Sequence, residues 1–172
     1  FAGLLDVLNP KRTLFCVISK SGTTAETMGA FMAGKSWLEA SLPADKVKDH
    51  VVAITDANTG VLRSIADREG YETFEVPDDV GGRFSVFSAV GLLPAALCGV
   101  DINEMQRGVR DLDKQLQNPD VRQNPAAQNA LIHYLMDKEK GKHVSVFMPY
   151  SARLASVSDW YVQLWAESLG KK

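Results

Sequence analysis

Leu14-Phe-Cys-Val-Ile-Ser-Lys-Ser-Gly-Thr-Thr-Ala-Glu26 decides the fold of this chain. Leu14 to Ile18 is an unbroken apolar run, the pattern of a strand buried on both faces. A cluster of hydroxyls around a glycine follows at once: Ser19, Ser21, Gly22, Thr23 and Thr24. Thr23-x-x-Glu26 then has capping-box spacing, which predicts a helix N-terminus. Strand, hydroxyl loop and helix start in succession make a cradle for an anion. The loop N–H groups and the positive helix end attract the charge, and the hydroxyls donate to its oxygens. With Lys20 as the loop's one cation, the cradle suits a small phosphate monoester better than a polyphosphate. It is not the lysine P-loop, because the G-x-x-x-x-G-K-[ST] pattern is missing. The competing reading is an ordinary serine- and threonine-rich turn with a capped helix.

Working outward, Phe1 to Leu8 reads as the end of a helix stopped at Asn9-Pro10. The helix after the cradle, from about Thr24 to Ala40, puts Met28, Phe31, Met32 and Leu38 on one side. Lys46 to Asp49 leads into a second buried strand, Val51 to Ile54. Asp56-Ala-Asn-Thr-Gly60 turns into a short helix with Val61, Leu62, Ile65 and Ala66 inward. Gly70 ends it, and Tyr71 to Val76 makes a third, more polar strand. Pro77-Asp-Asp79 breaks the pattern before Val80-Gly-Gly-Arg83. Ser85 to Leu97 is apolar on every side, which predicts a helix buried all round and kinked or broken at Pro94.

Ile102, Met105, Val109, Leu112 and Leu116 mark an amphipathic helix. Asn124 caps another, with Pro125 in its first position and Ala127, Ala130, Leu131, Tyr134 and Leu135 inward. Gly141 stops it, His143 to Met148 reads as a fourth strand, and a last helix carries Leu154, Val157, Trp160, Tyr161, Leu164 and Trp165. Strands alternating with helices argue for an α/β domain with a mostly parallel sheet of about four strands. Its ligand site belongs at the carboxyl ends of the strands, where the cradle falls.

A length of 172 residues supports one domain with a sizeable core. The net charge is −2, with no basic run, so nothing points to nucleic acid or an anionic membrane surface. Phe84 to Val100 is interrupted by serines, glycines and Pro94 and falls short of a membrane span. Cys16 and Cys98 both lie in apolar runs and read as reduced core residues, which suits the cytosol. Their settings suggest no zinc site. The first residues do not read as a signal peptide. The chain opens on Phe1 without a methionine and stops at Lys172 just past a motif, so a piece of a longer protein is expected.

Beyond the cradle, two clusters could carry chemistry. In Val80-Gly-Gly-Arg83 the glycines permit close backbone approach to a ligand, and Arg83 could stabilise developing negative charge; a flexible turn with a solvated arginine is the plainer alternative. Gln163 and Glu167 share one face of the last helix. Glu167 lies near its carboxyl end, where the helix dipole disfavours a carboxylate and makes it a stronger base. Such a base suits proton abstraction beside a carbonyl; a surface Glu167–Lys171 pair is the alternative. Glu26 is accounted for as the capping-box acid. His50, His133 and His143 have no partner set for a nucleophile or metal and read as structural or exposed.

Three segments together carry a resemblance. Ile18-Ser-Lys-Ser-Gly-Thr-Thr-Ala-Glu26, Val80-Gly-Gly-Arg-Phe-Ser-Val-Phe-Ser-Ala-Val-Gly-Leu-Leu-Pro94 and Gln163-Leu-Trp-Ala-Glu-Ser-Leu-Gly-Lys171 resemble, in this order, the glucose-6-phosphate isomerases. The likeness extends over nearly the whole chain. The Ser-Gly-Thr-Thr form resembles bacterial members, since the animal form has a bulky residue in place of Gly22. The resemblance implies a sugar-isomerase (SIS) domain over 1–172, a flavodoxin-like three-layer sandwich truncated at both ends.

It also implies interconversion of glucose 6-phosphate and fructose 6-phosphate in glycolysis and gluconeogenesis, in the cytoplasm. Ser19, Ser21 and Thr24 are then the donors to the sugar's phosphate, with the backbone of Lys20 assisting. Gly82 lies against the sugar, and Arg83 stabilises a cis-enediolate. Glu167 is the base working between C2 and C1 with Gln163 beside it, and Glu26 partners the ring-opening histidine. No metal or organic cofactor is expected, because a base and a countercharge suffice. The parent is expected to be a homodimer or larger.

The family's earlier glycine-serine loop would fall before Phe1. Its ring-opening histidine, from the other subunit, and a late lysine would fall after Lys172. The chain by itself is therefore expected to be inactive or nearly so. Two alternatives are a non-catalytic SIS-type phosphosugar sensor, which needs only the cradle, and an SIS isomerase for another sugar phosphate. Arg83 with Glu167 stands against the sensor, and the Gly-Gly-Arg-Phe-Ser segment against the other sugar.

Overall fold

The computed structural model describes residues 1–170. The chain forms two compact units, Phe1–Val100 and Asp101 onward. The first is built on three parallel strands in the order β1 (Phe15–Ile18), β2 (Val51–Thr55), β3 (Glu72–Glu75). Phe15 faces Val51 and Ile18 faces Ile54; Val52 faces Glu72 and Thr55 faces Glu75. Parallel neighbours need a crossover, and helices supply both. With α1 denoting the short Ala2–Leu5 turn, α2 (Ala25–Glu39) joins β1 to β2, and α3 (Val61–Glu69) joins β2 to β3. The α/β architecture expected from the alternation is the one found. Its sheet has three strands rather than four.

Val17, Val51 and Ala53 form the centre of the core, covered by Phe31 and Leu38 of α2 and Leu62 and Ala66 of α3. Edge-on rings close its margins, Phe15 on Trp37 at 6.1 Å and Phe31 on Tyr71 at 6.2 Å. β2, in the middle, is the most completely buried strand, and β3 is the polar edge. Met32, placed on the inner face of α2 by periodicity, is about half exposed, as is Val61 at the start of α3. Neither is among the partly buried side chains packed on the core.

The apolar segment after Arg83 departs further from expectation. It is a 3₁₀ stretch, Gly82–Phe87, followed by α4 (Ala89–Leu97). The break comes at Ser88, ahead of Pro94, which stays inside the helix. Ser88 Oγ accepts from Val90 N at 3.3 Å and donates to Ser85 O at 2.6 Å. A hydroxyl that caps in this way offers the backbone an alternative to continuing one helix. No residue of α4 is fully buried, and Cys98 at its end is exposed while Cys16 is half-buried. Burial pushes the Cys16 thiol up from its ordinary value.

The second unit carries α5 (Ile102–Leu116), α6 (Pro125–Lys140) and α7 (Ala155–Leu169). Asp101 caps α5, its Oδ1 accepting from Asn103 N and Glu104 N at 2.9 and 3.1 Å. Asn124 caps α6 through Ala127 N at 3.0 Å, Pro125 stands at its first position, and Gly141 ends it at φ +60°. The signals at Asn124, Pro125 and Gly141 act as expected. The packing does not follow the apolar stripe of α6: Leu131, Tyr134 and Leu135 are exposed. His143 to Met148 alternates like a strand, yet it pairs with no other segment of the described residues. A strand exists only through a neighbour's hydrogen-bond ladder, which alternation cannot provide. Among the described residues no helix is long and apolar enough to cross a membrane.

Candidate functional site

An open hollow of about 530 Å³ lies at the carboxyl ends of β1 and β2, lined by Ile18, Ser19, Lys20, Ser21, Thr24, Asp56, Thr59 and Gly60. The loop after β1 forms one side. Ser19 N donates to Ile54 O at 3.1 Å, continuing the ladder, while the buried Ser19 Oγ accepts from Gly22 N at 3.0 Å. Ser21 Oγ takes the Thr23 N–H at 3.2 Å and pairs with Thr23 Oγ1 at 2.7 Å. Thr23 is thus engaged within the loop. Helix α2 starts one residue later than capping-box spacing predicts, with Thr24 in the cap position and no side-chain capping bond. Glu26 becomes an exposed acid of the first turn, and the positive end of α2 opens toward the loop.

The loop after β2 forms the other side, and the motif reading missed it. Asp56 Oδ1 accepts from Asn58 N at 2.9 Å, Thr59 N at 2.8 Å and Thr59 Oγ1 at 3.1 Å, an Asx turn. The Asn58 and Thr59 N–H groups hold its carboxyl below the ordinary value of 3.8. The contribution of these bonds is therefore complete above 3.8 and is lost as pH falls through the lower folded value. Amide protection at Asn58 and Thr59 is expected to drop on acidification below that range, and at neutral pH in Asp56→Ala. Unchanged protection in Asp56→Ala would remove the carboxylate from this role.

Hydrogen bonds join the two loops. Val61 N donates to Ser21 O at 2.9 Å, Asp56 N to Lys20 O at 3.2 Å and Thr55 Oγ1 to Lys20 O at 3.0 Å. Gly22 stands at φ +69°, and a Cβ there would come within 2.2 Å of Leu62 N. Gly60 stands at φ +103°, its missing Cβ 2.8 Å from Ser21 O. Both glycines are demanded by backbone meeting backbone.

Lys20 does not extend into the hollow as a free cation. Its Nζ donates to Pro77 O at 3.3 Å and Asp78 O at 3.0 Å and pairs with Asp78 Oδ1 at 3.1 Å. This ties the hydroxyl loop to the segment that leads into Gly81, Gly82 and Arg83. Arg83 is half-buried in the 3₁₀ stretch, its guanidinium 5.1 Å from the Phe84 ring centre. A side chain at Gly82 would meet nothing within 4 Å. Internal packing does not require that glycine.

In the second unit, Gln163 Nε2 donates to Glu167 Oε1 at 3.1 Å, the pairing their spacing predicts, with Glu167 in the last turn of α7. Lys171 lies outside the described residues. The histidines are engaged elsewhere: His50 Nδ1 with Thr13 O at 2.7 Å, His133 against Trp165, His143 Nδ1 with Asp137 Oδ1 at 2.6 Å. His143 and Lys138 hold the Asp137 carboxyl below its ordinary value. Among the described residues no three His, Cys, Asp or Glu side chains are grouped to hold a metal.

The phosphoglucose isomerase family model matches residues 1–172. The chain belongs to the phosphoglucose isomerase family. Its relatives include glucose-6-phosphate isomerases of Clostridioides difficile strain 630 (45% identical over 98% of this chain and 37% of the relative) and Rubrobacter xylanophilus (43%, over 99% and 39%). A probable glucose-6-phosphate isomerase of Methanococcus maripaludis is 45% identical over 98% of this chain and 37% of its own length. The crystal structure of a hypothetical protein from Thermus thermophilus superposes with a TM-score of 0.92 at 41% identity, over 99% of this chain and 40% of that one. The chain thus spans about two fifths of the length of these similar proteins.

Proposed function

We propose that this chain supplies the phosphate-binding and proton-transfer parts of an isomerase that interconverts glucose 6-phosphate and fructose 6-phosphate. The observation that carries the reading is the hydroxyl-lined hollow in front of α2, in a chain that matches the phosphoglucose isomerase model from end to end. Ser19, Ser21 and Thr24 donate to the phosphate, with the Lys20 N–H and the end of α2 beside them. Open space at Gly82 suits close approach of the sugar chain.

The reaction moves two protons, one from C2 to C1 and one from the C2 hydroxyl to O1, with no net gain or loss of electrons. Glu167 takes the proton from C2 of the open-chain aldose, and the carbonyl becomes part of a cis-enediolate whose charge Arg83 balances. Return of the proton to C1, with the C2 hydroxyl proton passing to O1, gives the ketose. Gln163, bonded to Glu167 Oε1, orients the carboxylate. Glu26 partners a ring-opening histidine from the other subunit of a dimer or larger assembly. The chemistry asks for no metal or organic cofactor, and we place it in the cytoplasm, in glycolysis and gluconeogenesis.

Thr24→Val in the natural protein that carries this sequence tests the hollow directly, because the Thr24 hydroxyl makes no capping bond. A hydrogen bond to a charged group is worth about 1.5–3 kcal/mol, so KM for glucose 6-phosphate is expected to rise by about tenfold or more. The kcat changes far less, and unphosphorylated glucose is not a substrate of either form. A KM identical to wild type would remove Thr24 from the phosphate site.

A further inference from the structure

The cation nearest the proposed phosphate site is committed elsewhere. Lys20 sits between Ser19 and Ser21, where its ammonium would be the obvious partner for a dianion. Its contacts run instead to Pro77 O, Asp78 O and Asp78 Oδ1, as many acceptors as an ammonium has N–H groups. The segment it holds is itself bonded onward toward Arg83. Val80 N donates to Pro77 O at 3.2 Å, Phe84 N to Gly81 O at 2.9 Å, and Ser85 Oγ to Gly82 O at 2.6 Å. On its other side, Lys20 O is fixed by Asp56 N and Thr55 Oγ1. An exposed ion pair alone contributes little. Two charge-assisted bonds to backbone carbonyls do more, because they set where the chain runs.

We propose that Lys20 is a positioning residue. Its side chain locks the Pro77–Asp78 turn to the hydroxyl loop and so holds Gly82 and Arg83 in register with a substrate whose phosphate is met by hydroxyls and backbone N–H groups. The inference rests on reading the hollow as the phosphate site. It makes a lysine in a phosphate-binding loop act on the reacting end of the sugar rather than on the phosphate.

The test uses the natural protein with Lys20→Met, Asp78→Ala and the double variant, measuring kcat and, by calorimetry, the Kd of inorganic phosphate. Asp78 is 87% exposed, so its replacement leaves the fold intact. Lys20→Met is expected to lower kcat by about tenfold to a hundredfold, the scale of a small misplacement of a catalytic group. Phosphate affinity is expected to stay within about threefold of wild type, since the ammonium is bonded to Pro77 O and Asp78 and makes no direct bond to the anion in this reading. Asp78→Ala lowers kcat in the same direction, and the double variant is no worse than Lys20→Met, because both break one tether. Phosphate binding weakened tenfold or more in Lys20→Met would make the ammonium a ligand and overturn the proposal, as would an unchanged kcat. Thr24→Val in the same calorimetry separates the two ideas: if it leaves phosphate affinity unaltered, the reading of the hollow fails, whatever Lys20 does.

Discussion

Glu167→Gln is expected to reduce deuterium exchange at C2 of glucose 6-phosphate by about 10²–10⁴-fold in the natural protein, the range of a positioned general base. The substitution keeps the shape of the side chain and removes its basicity. Its neighbour Gln163 donates to Oε1 at 3.1 Å, and an amide oxygen at the same place can still accept that bond. The fold is therefore preserved and the loss falls on kcat. KM is expected to move little, because the phosphate donors proposed above are a different group of residues on a different element. Exchange measured by NMR, alongside isomerisation in a coupled assay, reads the two steps separately. Exchange retained at the wild-type rate would strip Glu167 of its assigned role and leave Arg83 without a base to serve.

The second large effect is on the loop itself. Gly22→Ala is expected to destabilise the protein by about 2–4 kcal/mol, combining left-handed backbone strain with overpacking. The position has φ +69°, and the added Cβ would come within 2.2 Å of Leu62 N and 2.8 Å of Leu62 Cβ. The obstacle is the first turn of α3 rather than the tip of a flexible side chain, so relief requires the loop to move. That movement breaks the Gly22 N–H bond to Ser19 Oγ and the Val61 N–H bond to Ser21 O, which give the hollow its shape. A melting temperature lowered by on the order of 10 °C and loss of inorganic phosphate binding are expected together. An alanine variant with normal stability and normal phosphate affinity would show that Gly22 is not what sets the loop against α3.

Part of this arrangement is legible in the chain. Leu14 to Ile18, the hydroxyl loop and the amphipathic stretch behind it are contiguous, so strand, turn and helix are legible as one unit. Asn124-Pro125, Gly141 and Gly70 announce helix boundaries by residue type, and each holds. Four departures have two causes. The helix expected over Ser85 to Leu97 splits at Ser88, Met32 and Cys98 are exposed, α6 leaves Leu131, Tyr134 and Leu135 uncovered, and His143 to Met148 has no ladder partner among the described residues. The split comes from the Ser88 hydroxyl capping a new helix, and in the other three an apolar pattern names a face but not what lies opposite it. The displaced cap at Thr24 is a subtler miss: Thr23 fits the pattern, but its hydroxyl is taken by Ser21.

By itself, the order of residues determined the parallel β-α-β scaffold, the helix boundaries at Gly70, Asn124 and Gly141, and the three segments that resemble its family. All of these depend on neighbours within a few positions, where backbone propensity and apolar period act directly. Tertiary structure alone brought Asp56, Thr59 and Gly60 beside Ser19 and Ser21, because adjacent parallel strands end side by side however far apart they lie in the chain. It also decided the direction of Lys20, whose partners Pro77 and Asp78 stand 57 and 58 positions away. A lysine's long side chain carries no local signal of where its charge will settle. Only the approach of a second backbone, offering carbonyls at hydrogen-bond distance, settles it.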